Sequence, residues 1–500
     1  MKKIILLIIY CLMHTAYSMA QTDEYWNFRN AALVFKSGVG VMDTTNNNCT
    51  TVTIGDCHTS ICDTRGNLLF YSNGYNVYDK NNNIMPNGNH FNHSTYGDIY
   101  INGNSLYPEN KGAIFIPSVN DSNTFYMFYE NMEYQESGGG NLLPSKLRYL
   151  VVDKSLNGGL GDVVFKDSTL ICCDTLLNGN LFATRHGNGS DWWLIVKKYH
   201  STQYYKILID ANGVHTPSIQ QLGTPYLSFP TYPCQGDISN NGDKIVYLQT
   251  NLNLQGGQLD VLDFDRCTGN LSNAHSETIN ILNSTDTLDW WITNISPNGK
   301  LLYANDGYHM WQMDLTSKNI VSSRTKVGNW DGSFSPNASY FYQMKNGIDS
   351  KTYVSCYGGN SFIHVINKPD SFGLTCNFVQ KQIFVGTINN GHIGYGSFPN
   401  TPNYSLGKSS CSVGIENLNS ENVGFNIFPN PTHSSFTINF SNDWNNAAIR
   451  VFNVTGQMIV EKQNQNGKQF SIDLSHQSAG IYFVEVQTAT TIYRSKVVKQ

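Results

Sequence analysis

The chain has 500 residues, of which 14% are charged, and its formal net charge at pH 7 is −5. An average soluble protein has about 25% charged residues, so this chain is poor in charge. A weakly acidic chain lacks the Lys and Arg that neutralise phosphates, which excludes a basic nucleic-acid-binding protein. At roughly 150 residues per domain, the length predicts more than one domain.

The N-terminus has the features of a secretory signal peptide. A short basic start precedes an apolar run over residues 4–13, and small residues precede the predicted cleavage point between Ala20 and Gln21. The run is too short for a transmembrane helix, which needs about 20 apolar residues. We therefore predict a signal peptide over residues 1–20 and no transmembrane segment after it.

Cysteine usage is consistent with export. Ten cysteines follow the predicted signal, namely Cys49, Cys57, Cys62, Cys172, Cys173, Cys234, Cys267, Cys356, Cys376 and Cys411. An even number in an exported chain favours disulfides, and the absence of any CxxC pair argues against zinc. The pairing stays open, and no metal site or cofactor is predicted.

Hairpin signals recur along the rest of the chain. Asn-Gly dipeptides, as at residues 73, 298 and 346, stand between short runs of Val, Ile, Leu, Tyr and Phe. Asn-Gly favours the tight turn whose twist matches that of two antiparallel strands. Few stretches show a helical period, so we predict an all-β protein built as a sandwich, a barrel or a propeller.

A repeat favours the propeller. A polar turn followed by an apolar strand occurs six times, as DTRGNLLFYS from Asp63, VNDSNTFYMFY from Val119, GNGSDWWLIV from Gly187, SNNGDKIVYL from Ser239, SPNGKLLYAND from Ser296 and SPNASYFYQM from Ser335. The spacing of about 40 to 65 residues is close to the period of a propeller blade. We predict a β-propeller of seven blades over residues 21–402, with six or eight also compatible. A strand such as AALVFKSG from Ala31 could pair with the last blade to close the ring.

The SPNGKLLY element resembles the SPDG-type repeat of Tol-associated and WD-repeat-like propellers. The longer run from Trp26 through NVYDKNNNIMPNG, LNGGLGDV and LDFDRCTGNLSN resembles a propeller region of large secreted Bacteroidetes proteins. This resemblance covers residues of about 24 to 402. It implies a fold and no particular chemistry.

The C-terminal part reads as a separate domain. Residues 403–422 are polar, without alternation, and are predicted to be a linker. In residues 423–500, apolar positions alternate with polar ones, as at Phe436, Ile438 and Phe440. Period-two patterning with frequent turns predicts a small Ig-like β-sandwich.

This block resembles the C-terminal sorting domain of the type IX secretion system of Bacteroidetes. The match lies in FPNPT, VFNVTGQ, SAGIYFVEV and the basic end, which contain Pro429, Asn430, Pro431, Gly456, Gly480 and Lys499. The resemblance implies that the type IX machinery carries the protein across the outer membrane. It also implies that the protein is then anchored at the cell surface or released.

Catalytic motifs are mostly absent. The sequence contains no GxSxG, no HExxH and no phosphate-binding loop, and no catalytic residue is predicted. His90 and His93 near Asp98 could face an ion, although a polar loop is the alternative. Asp306 and His309 could form an acid–base pair, with a structural His–Asp link as the alternative.

Aromatic residues are the best candidates for ligand binding. DWW occurs twice, at residues 191–193 and 289–291, and further tryptophans follow. Alternation along a strand would send one Trp of each pair into the core and the other outward. The predicted ligand-binding residues are Trp193, Trp291, Trp311 and Trp330, and packing between blades is the alternative.

The sequence thus predicts a secreted or surface-displayed propeller that binds a protein or a glycan. The alternative function is a secreted propeller hydrolase, a glycosidase or a peptidase, with its site at the central channel. A third possibility is a scaffold for another surface protein. The predicted partners are the type IX machinery and a surface glycan or protein, without nucleic acid.

Overall fold

A computed structural model describes residues 23–28, 32–36, 39–43, 52, 54–102, 107, 109–135, 141–224, 235–251, 256–280, 292–334, 337–357, 360–385, 397–411, 425–454, 457–488 and 492–500. The predicted signal peptide, Trp291, Gly456, Cys49 and Cys234 lie outside these ranges. The chain divides into two compact units, residues 1–411 and 412–500. Strands dominate both, which confirms the all-β prediction.

The described part of the first unit contains seven antiparallel sheets that follow one another along the chain. Sheet 1 is β1 (Tyr25–Asn27), β2 (Ala32–Lys36) and β3 (Val39–Asp43); sheet 2 is β4 (Thr59–Cys62), β5 (Leu68–Ser72) and β6 (Val77–Asp79). Sheet 3 is β7 (Ala113–Pro117), β8 (Thr124–Gln135), β9 (Asn141–Asp153) and β10 (Asp162–Ile171). Sheet 4 is β11 (Phe182–Arg185), β12 (Trp192–Lys197), β13 (Gln203–Asp210), β14 (Gly213–Val214) and β15 (Ser218–Gln221).

The remaining three sheets have four strands each. Sheet 5 is β16 (Asp237–Ile238), β17 (Lys244–Asn251), β18 (Gly256–Asp265) and β19 (Asn270–Asn280); sheet 6 is β20 (Ile292–Ile295), β21 (Leu301–Asn305), β22 (His309–Asp314) and β23 (Thr325–Asn329). Sheet 7 is β24 (Phe341–Asn346), β25 (Thr352–Cys356), β26 (Phe362–Ile366) and β27 (Phe378–Phe384). One α-helix, α1 (Thr95–Asn102), and short 3-10 turns at Asn157–Gly159, Val321–Ser323 and Gly373–Cys376 lie between strands.

Five of the six repeats found in the sequence lie at the turn between the first and second strands of a sheet, in sheets 2 to 6. At Gly242 and Gly299 the backbone φ is positive, 67° and 74°, a conformation that suits glycine. Each of these N–H groups donates to the carbonyl oxygen three residues earlier, at 2.8 Å. The sixth repeat, from Ser335, instead precedes the first strand of sheet 7.

A second recurrent turn follows the third strand of sheets 3 to 6. Each of these strands ends at an aspartate, Asp153, Asp210, Asp265 or Asp314. In every case the carboxylate Oδ1 accepts the backbone N–H two residues further on, at 2.7 to 2.9 Å. A short acidic side chain satisfies the turn backbone in this way, which explains the recurring acid before each turn.

Neighbouring sheets share apolar cores. These contacts form a closed series, because the last sheet also shares a core with the first. The cores join sheets 1 and 2, sheets 2, 3 and 4, sheets 4 and 5, sheets 5 and 6, sheets 6 and 7, and sheets 7 and 1. Both faces of most sheets are therefore covered. Because of this, a strand such as β12 is buried at every position.

The contact between sheets 7 and 1 is made by aromatic rings. Trp26 of β1 lies edge-on to Phe35 at 4.9 Å and to Tyr353 of β25 at 5.3 Å, measured between ring centroids. Phe398 lies 5.3 Å from the same Trp26 ring. In the described residues β2 pairs with β1 and β3, not with sheet 7. This corrects the expectation that this strand pairs with the last sheet.

The second unit is a five-stranded antiparallel sheet domain. Its strands are β28 (Phe425–Phe428), β29 (Ser435–Phe452), β30 (Met458–Asp473), β31 (Gly480–Gln487) and β32 (Ile492–Lys499), in the order β28-β29-β31-β32 with β30 paired to β29. Phe436, Ile438 and Phe440 are all buried in its core, as their alternation predicts. The FPNPT segment docks on β32 through Asn430, whose amide donates to Lys496 O at 2.8 Å and accepts from Val498 N at 2.9 Å.

Part of the predicted linker is attached to the first unit. Tyr404 is buried, and its hydroxyl donates to the carbonyl oxygen of Phe115 at 2.8 Å. Cys411 forms a disulfide with Cys267, at the end of sheet 5's third strand. Residues 403–411 therefore belong to the first unit in the structure, and residues 412–422 lie outside the described ranges.

Candidate functional site

Two of the tryptophans predicted to bind a ligand are buried. Trp193 is 8% exposed, and its Nε1 donates to Arg266 O at 2.9 Å. Trp311 is 5% exposed and lies in the core between sheets 5 and 6. The expectation that Trp193 points outward is wrong, because Trp192 packs toward sheet 3 while Trp193 packs toward sheet 5. Trp291 lies outside the described residues.

Trp330, in contrast, belongs to a half-exposed group of rings that we name the aromatic patch: Tyr308, Trp330, Phe334 and Tyr340. Phe334 is 66% exposed and Tyr308 is 43% exposed. The centroid of the Trp330 ring lies 4.6 Å from Tyr340, 5.7 Å from Phe334 and 5.9 Å from Tyr308. Trp330 and Tyr340 are partly buried beside these two exposed rings, and contiguous aromatic surfaces of this kind are typical of interaction sites.

Local hydrogen bonds hold the patch in place. Directly after β23, the backbone N–H of Trp330 donates to Tyr308 O at 2.7 Å. The Trp330 indole N–H donates to Ser339 Oγ at 2.9 Å. Phe334 forms a β-bridge with Ala338. Backbone and side-chain hydrogen bonds therefore fix Trp330 to Tyr308 and Ser339, between sheets 6 and 7.

A polar rim adjoins the patch. Asp331 forms an ion pair with Lys381, with Oδ2 and Nζ 2.8 Å apart. Burial raises the pKa of Asp331, but hydrogen bonds from Lys381 and Ser333 outweigh it and lower that pKa to about 2. The Gln380 amide donates to Asn329 O at 2.7 Å. A carboxylate, an ammonium and an amide thus lie beside the aromatic surface.

The middle of the ring of sheets holds a second candidate site. Residues 397–405, here named the axial segment, run between the first strands of the sheets. Asn400 makes three hydrogen bonds to residues near these strands. Its backbone N–H donates to His58 O, and its side-chain amide donates to Lys111 O and Leu181 O. The carbonyl oxygen of Tyr404 accepts from Arg185 of β11. The segment therefore bridges sheets 2, 3 and 4.

Beside the axial segment lies a cavity of about 360 Å³, here named the axial cavity. Its lining includes residues from sheets 1, 3, 4, 5, 6 and 7. Two ion pairs stand in its wall, Asp23–Lys345 at 2.9 Å and Lys111–Asp237 at 3.7 Å. Each pair joins residues that are far apart in the sequence. No local pattern in the sequence marks either pair.

Burial sets the protonation preferences of these groups. Burial raises the pKa of Asp23 and of Asp237, while the neighbouring lysines oppose the shift. Burial likewise lowers the pKa of Lys111, against the opposing effect of Asp237. Buried charges are stable only when they are paired and hydrogen-bonded, and the two pairs meet that condition in part.

Further acids lie deeper in sheets 2 and 3. Glu109 and Glu130 are fully buried, and burial raises the pKa of both carboxyl groups. Burial lowers the pKa of His58, also fully buried, to about 3. Burial favours the neutral forms of all three groups, and none of them reaches solvent.

The two His–acid candidates are local contacts. His93 Nδ1 contacts Asp98 Oδ2, with the imidazole largely exposed and His90 beside Tyr75. Asp306 is buried, accepts the backbone N–H groups of Tyr308 and His309, and bonds the His309 ring at 2.8 Å. This arrangement holds the turn before β22.

Cysteines in the described ranges form one disulfide, Cys267–Cys411, and six others are unpaired. Cys356 Sγ lies 3.2 Å from His364 Nε2, but both residues are buried. Burial raises the pKa of this thiol to about 12 and lowers that of the imidazole to about 4, which disfavours a reactive thiolate. Within the described ranges, no group of three His, Cys, Asp or Glu residues could hold a metal ion.

Comparison with known families identifies the second unit. Residues 426–500 match the family described as the secretion system C-terminal sorting domain. The chain therefore carries a type IX sorting domain, and it is exported through that system to the cell surface or beyond. No helix among the described residues is long and apolar enough to cross a membrane. No curated protein matches the sequence.

Solved structures match the chain only distantly. PorZ of Porphyromonas gingivalis, a surface component of the type IX secretion system, is 10% identical over 94% of this chain and 80% of that chain, with a TM-score of 0.29. An α-L-arabinanase of Penicillium chrysogenum in complex with arabinobiose is 9% identical over 66% of this chain and 88% of that chain, with a TM-score of 0.30. A Desulfotomaculum acetoxidans protein of unknown function is 14% identical over 59% of this chain and 77% of that chain, with a TM-score of 0.32. Scores this low support no inference about this chain.

Proposed function

We propose that this chain, which its sorting domain exports, is a carbohydrate-binding protein that holds a glycan on the aromatic patch. The observation that carries the proposal is the group of four contiguous rings, with Phe334 66% exposed, beside the Asp331–Lys381 pair. A sugar presents an apolar face of C–H groups and a rim of hydroxyls. Aromatic rings with polar groups beside them complement both parts.

The proposed scaffold is a seven-bladed β-propeller over residues 23–411, followed by a β-sandwich sorting domain. Seven consecutive antiparallel sheets and a closed order of shared cores support the propeller. Strands β29 and β30 are long and pair with each other through several register shifts, which supports a sandwich. In a propeller, loops at one end of the ring carry recognition while the sheets stay rigid.

Glycan is favoured over protein because of the size of the patch. A stable protein–protein interface buries about 1,200 to 2,000 Å² in total, which four side chains cannot supply. One or two rings can cover a sugar residue, and the neighbouring Asp331, Lys381 and Gln380 can bond its hydroxyls.

A hydrolase is the second candidate, because the axial cavity brings acids of sheets 1 and 5 into one space. Glycoside hydrolysis uses two carboxyl groups on either side of the bond. In the axial cavity each aspartate is paired with a lysine, and the axial segment lies beside them. This pairing favours binding over hydrolysis in the proposal.

The test is affinity electrophoresis and calorimetry of the full chain against a panel of plant and bacterial polysaccharides. We expect retention by at least one polysaccharide. The Phe334→Ala and Tyr308→Ala variants should each bind it about tenfold more weakly, equivalent to about 1.4 kcal/mol of binding free energy. Both side chains are partly exposed, so the fold should be unaffected.

Phe372→Ala is the matched control, because Phe372 is 54% exposed but lies outside the patch. It should bind as the unaltered chain does. Retention that survives both patch variants would refute the patch as the site, and no retention by any polysaccharide would favour a scaffold role. Release of reducing sugar during incubation would support the hydrolase instead.

A further inference from the structure

The last residue of the first unit is covalently attached to one of its sheets. The first unit ends at Cys411, and residues 412–500 form the second unit. A disulfide joins Cys411 to Cys267, which is 144 residues earlier in the chain. Cys267 lies in the turn after β18, where its backbone N–H donates to Asp265 Oδ1 at 2.9 Å. The point at which the chain continues toward the second unit is therefore bonded to sheet 5.

The disulfide is packed against turns of two sheets. A Cβ atom at Gly187, in the turn between β11 and β12, would overlap both sulfur atoms. The Gly187 N–H donates to Arg266 O at 2.8 Å, and its carbonyl oxygen accepts from Ser409 N at 3.0 Å. Close packing and these two hydrogen bonds hold the disulfide against sheets 4 and 5.

The residues directly before Cys411 are held by noncovalent contacts. Residues 397–410 contain no cysteine. Gly407 O accepts from Arg266 Nη2 at 2.6 Å, and the Tyr404 hydroxyl donates to Phe115 O at 2.8 Å. Each such hydrogen bond contributes only about 0.5 to 1.5 kcal/mol to stability. If these contacts alone resisted a pull on Cys411, they would break one after another, beginning at the C-terminal end of the segment.

The disulfide transfers such a pull to a stronger element. Cys267 follows β18, which pairs with β17 along one edge and with β19 along the other. To move β18, a pull must disrupt two ladders of backbone hydrogen bonds, together with the apolar cores on both faces of sheet 5. A pull that acts on sheet 5 through the disulfide therefore leaves residues 397–410 unloaded.

We propose that the Cys267–Cys411 disulfide is a mechanical clamp, which transmits tension on the second unit to sheet 5 and keeps the axial segment docked between sheets 2, 3 and 4. The chain is exported by its sorting domain, so tension that arises during export acts on the first unit at Cys411. With the clamp closed, the segment in the middle of the ring stays in place. This inference concerns export and not ligand binding, so it does not rest on the proposed function.

The test is single-molecule force spectroscopy of the full chain, held between tethers at its two ends. In the oxidised chain we expect the first unit to unfold without an earlier release of residues 397–411, and the loop between the two cysteines to stay closed. Both cysteines are partly exposed, so dithiothreitol can reduce the disulfide in the folded chain. After reduction, residues 397–411 should detach first, in a step of about 50 Å, and complete unfolding should release about 500 Å more than in the oxidised chain, at about 3.5 Å per residue.

Reduction acts on a chain that is already folded, so this comparison does not depend on how a variant folds. The folded double variant Cys267→Ser, Cys411→Ser should show the same early step without reductant. The control Cys172→Ser, Cys173→Ser keeps the disulfide and should behave as the oxidised chain does. An early step of about 50 Å in the oxidised chain, or its absence from the reduced chain, would overturn the proposal.

Discussion

Neighbours, more than residue type, decide what a tryptophan does in this protein. Trp193 lies on a strand covered on both faces, and its indole N–H is bonded within the fold, so it stabilises the contact between sheets 4 and 5. Trp330 follows the last strand of sheet 6, is only partly buried against the core that sheets 6 and 7 share, and joins the aromatic patch. A buried tryptophan adds packing, and a half-exposed one offers a surface.

Asp56 is a residue whose burial should make stability depend on pH. Burial raises its pKa to about 6, although the Tyr342 hydroxyl donates to Oδ2 at 3.1 Å. The folded state therefore binds a proton more tightly than the unfolded state, and this contribution to stability is lost as pH rises from about 4 to 6. Asp56→Asn keeps the acceptor and removes the charge. We expect it to stabilise the protein by about 2 to 3 kcal/mol at pH 7 and by nothing below pH 4.

Urea unfolding at pH 4 and pH 7 measures this difference. Phe334→Ala, which removes an exposed ring and no charge, is the control and should change stability equally at both pH values. If Asp56→Asn gave the same stability change at pH 4 and pH 7, burial of Asp56 would not perturb its ionisation.

The axial segment matters at the scale of elements, because it has no strand of its own and yet contacts several sheets. Its backbone and side chains bond to residues 58, 111, 181 and 185. Arg266 Nη2 extends the contacts by donating to Gly407 O at 2.6 Å, and the Cys267–Cys411 disulfide follows. The disulfide fixes residue 411, which follows this segment, to the turn after the third strand of sheet 5.

Removing that disulfide should loosen residues 403–411. The two cysteines are 144 residues apart, and a covalent link across so long a loop reduces the entropy of the unfolded chain strongly. We expect the double variant Cys267→Ser, Cys411→Ser to lose about 3 to 5 kcal/mol in urea unfolding. Amide hydrogen exchange of residues 403–411 should become faster.

Cys172→Ser, Cys173→Ser is the matched control, because both thiols are exposed and unpaired. Surface substitutions of this kind change stability by about 0.5 kcal/mol or less. Equal stability of the two double variants would show that the disulfide does not stabilise the first unit.

At the scale of the whole first unit, the closed order of sheets depends on the contact between its first and last members. Trp26 is fully buried there, among Phe35, Tyr353 and Phe398. The ion pair between Asp23 and Lys345 joins the same two sheets at 2.9 Å. The aromatic contact and the ion pair thus join the first and last sheets, a role that strand pairing was expected to have.

Trp26→Ala should therefore destabilise the whole first unit. Removing a large buried aromatic side chain costs about 3 to 5 kcal/mol. Phe334→Ala removes an exposed ring and should cost about 0.5 kcal/mol or less. Urea unfolding of both variants gives the comparison, and a Trp26→Ala cost as small as that of Phe334→Ala would mean that this contact does not hold the ring together.

Sequence reasoning succeeded where the signal is local. The alternation at Phe436, Ile438 and Phe440 placed all three in a core, and the Asn-Gly dipeptides at residues 73, 298 and 346 lie at turns between strands of one sheet, as expected. The order of FPNPT, VFNVTGQ and SAGIYFVEV identified the sorting domain that the family match confirms. Such features depend on residues within one strand, one turn or one short motif.

The sequence by itself determined the all-β class, the recurring turns and the route of export, because each is encoded over a few neighbouring residues. Only the tertiary structure decided which tryptophans are covered and which acids meet which lysines. Asp23 forms an ion pair with Lys345, and Lys111 with Asp237, because the seven sheets form a closed series of contacts. Contacts over such separations follow from the packing of all seven sheets, which no local pattern records.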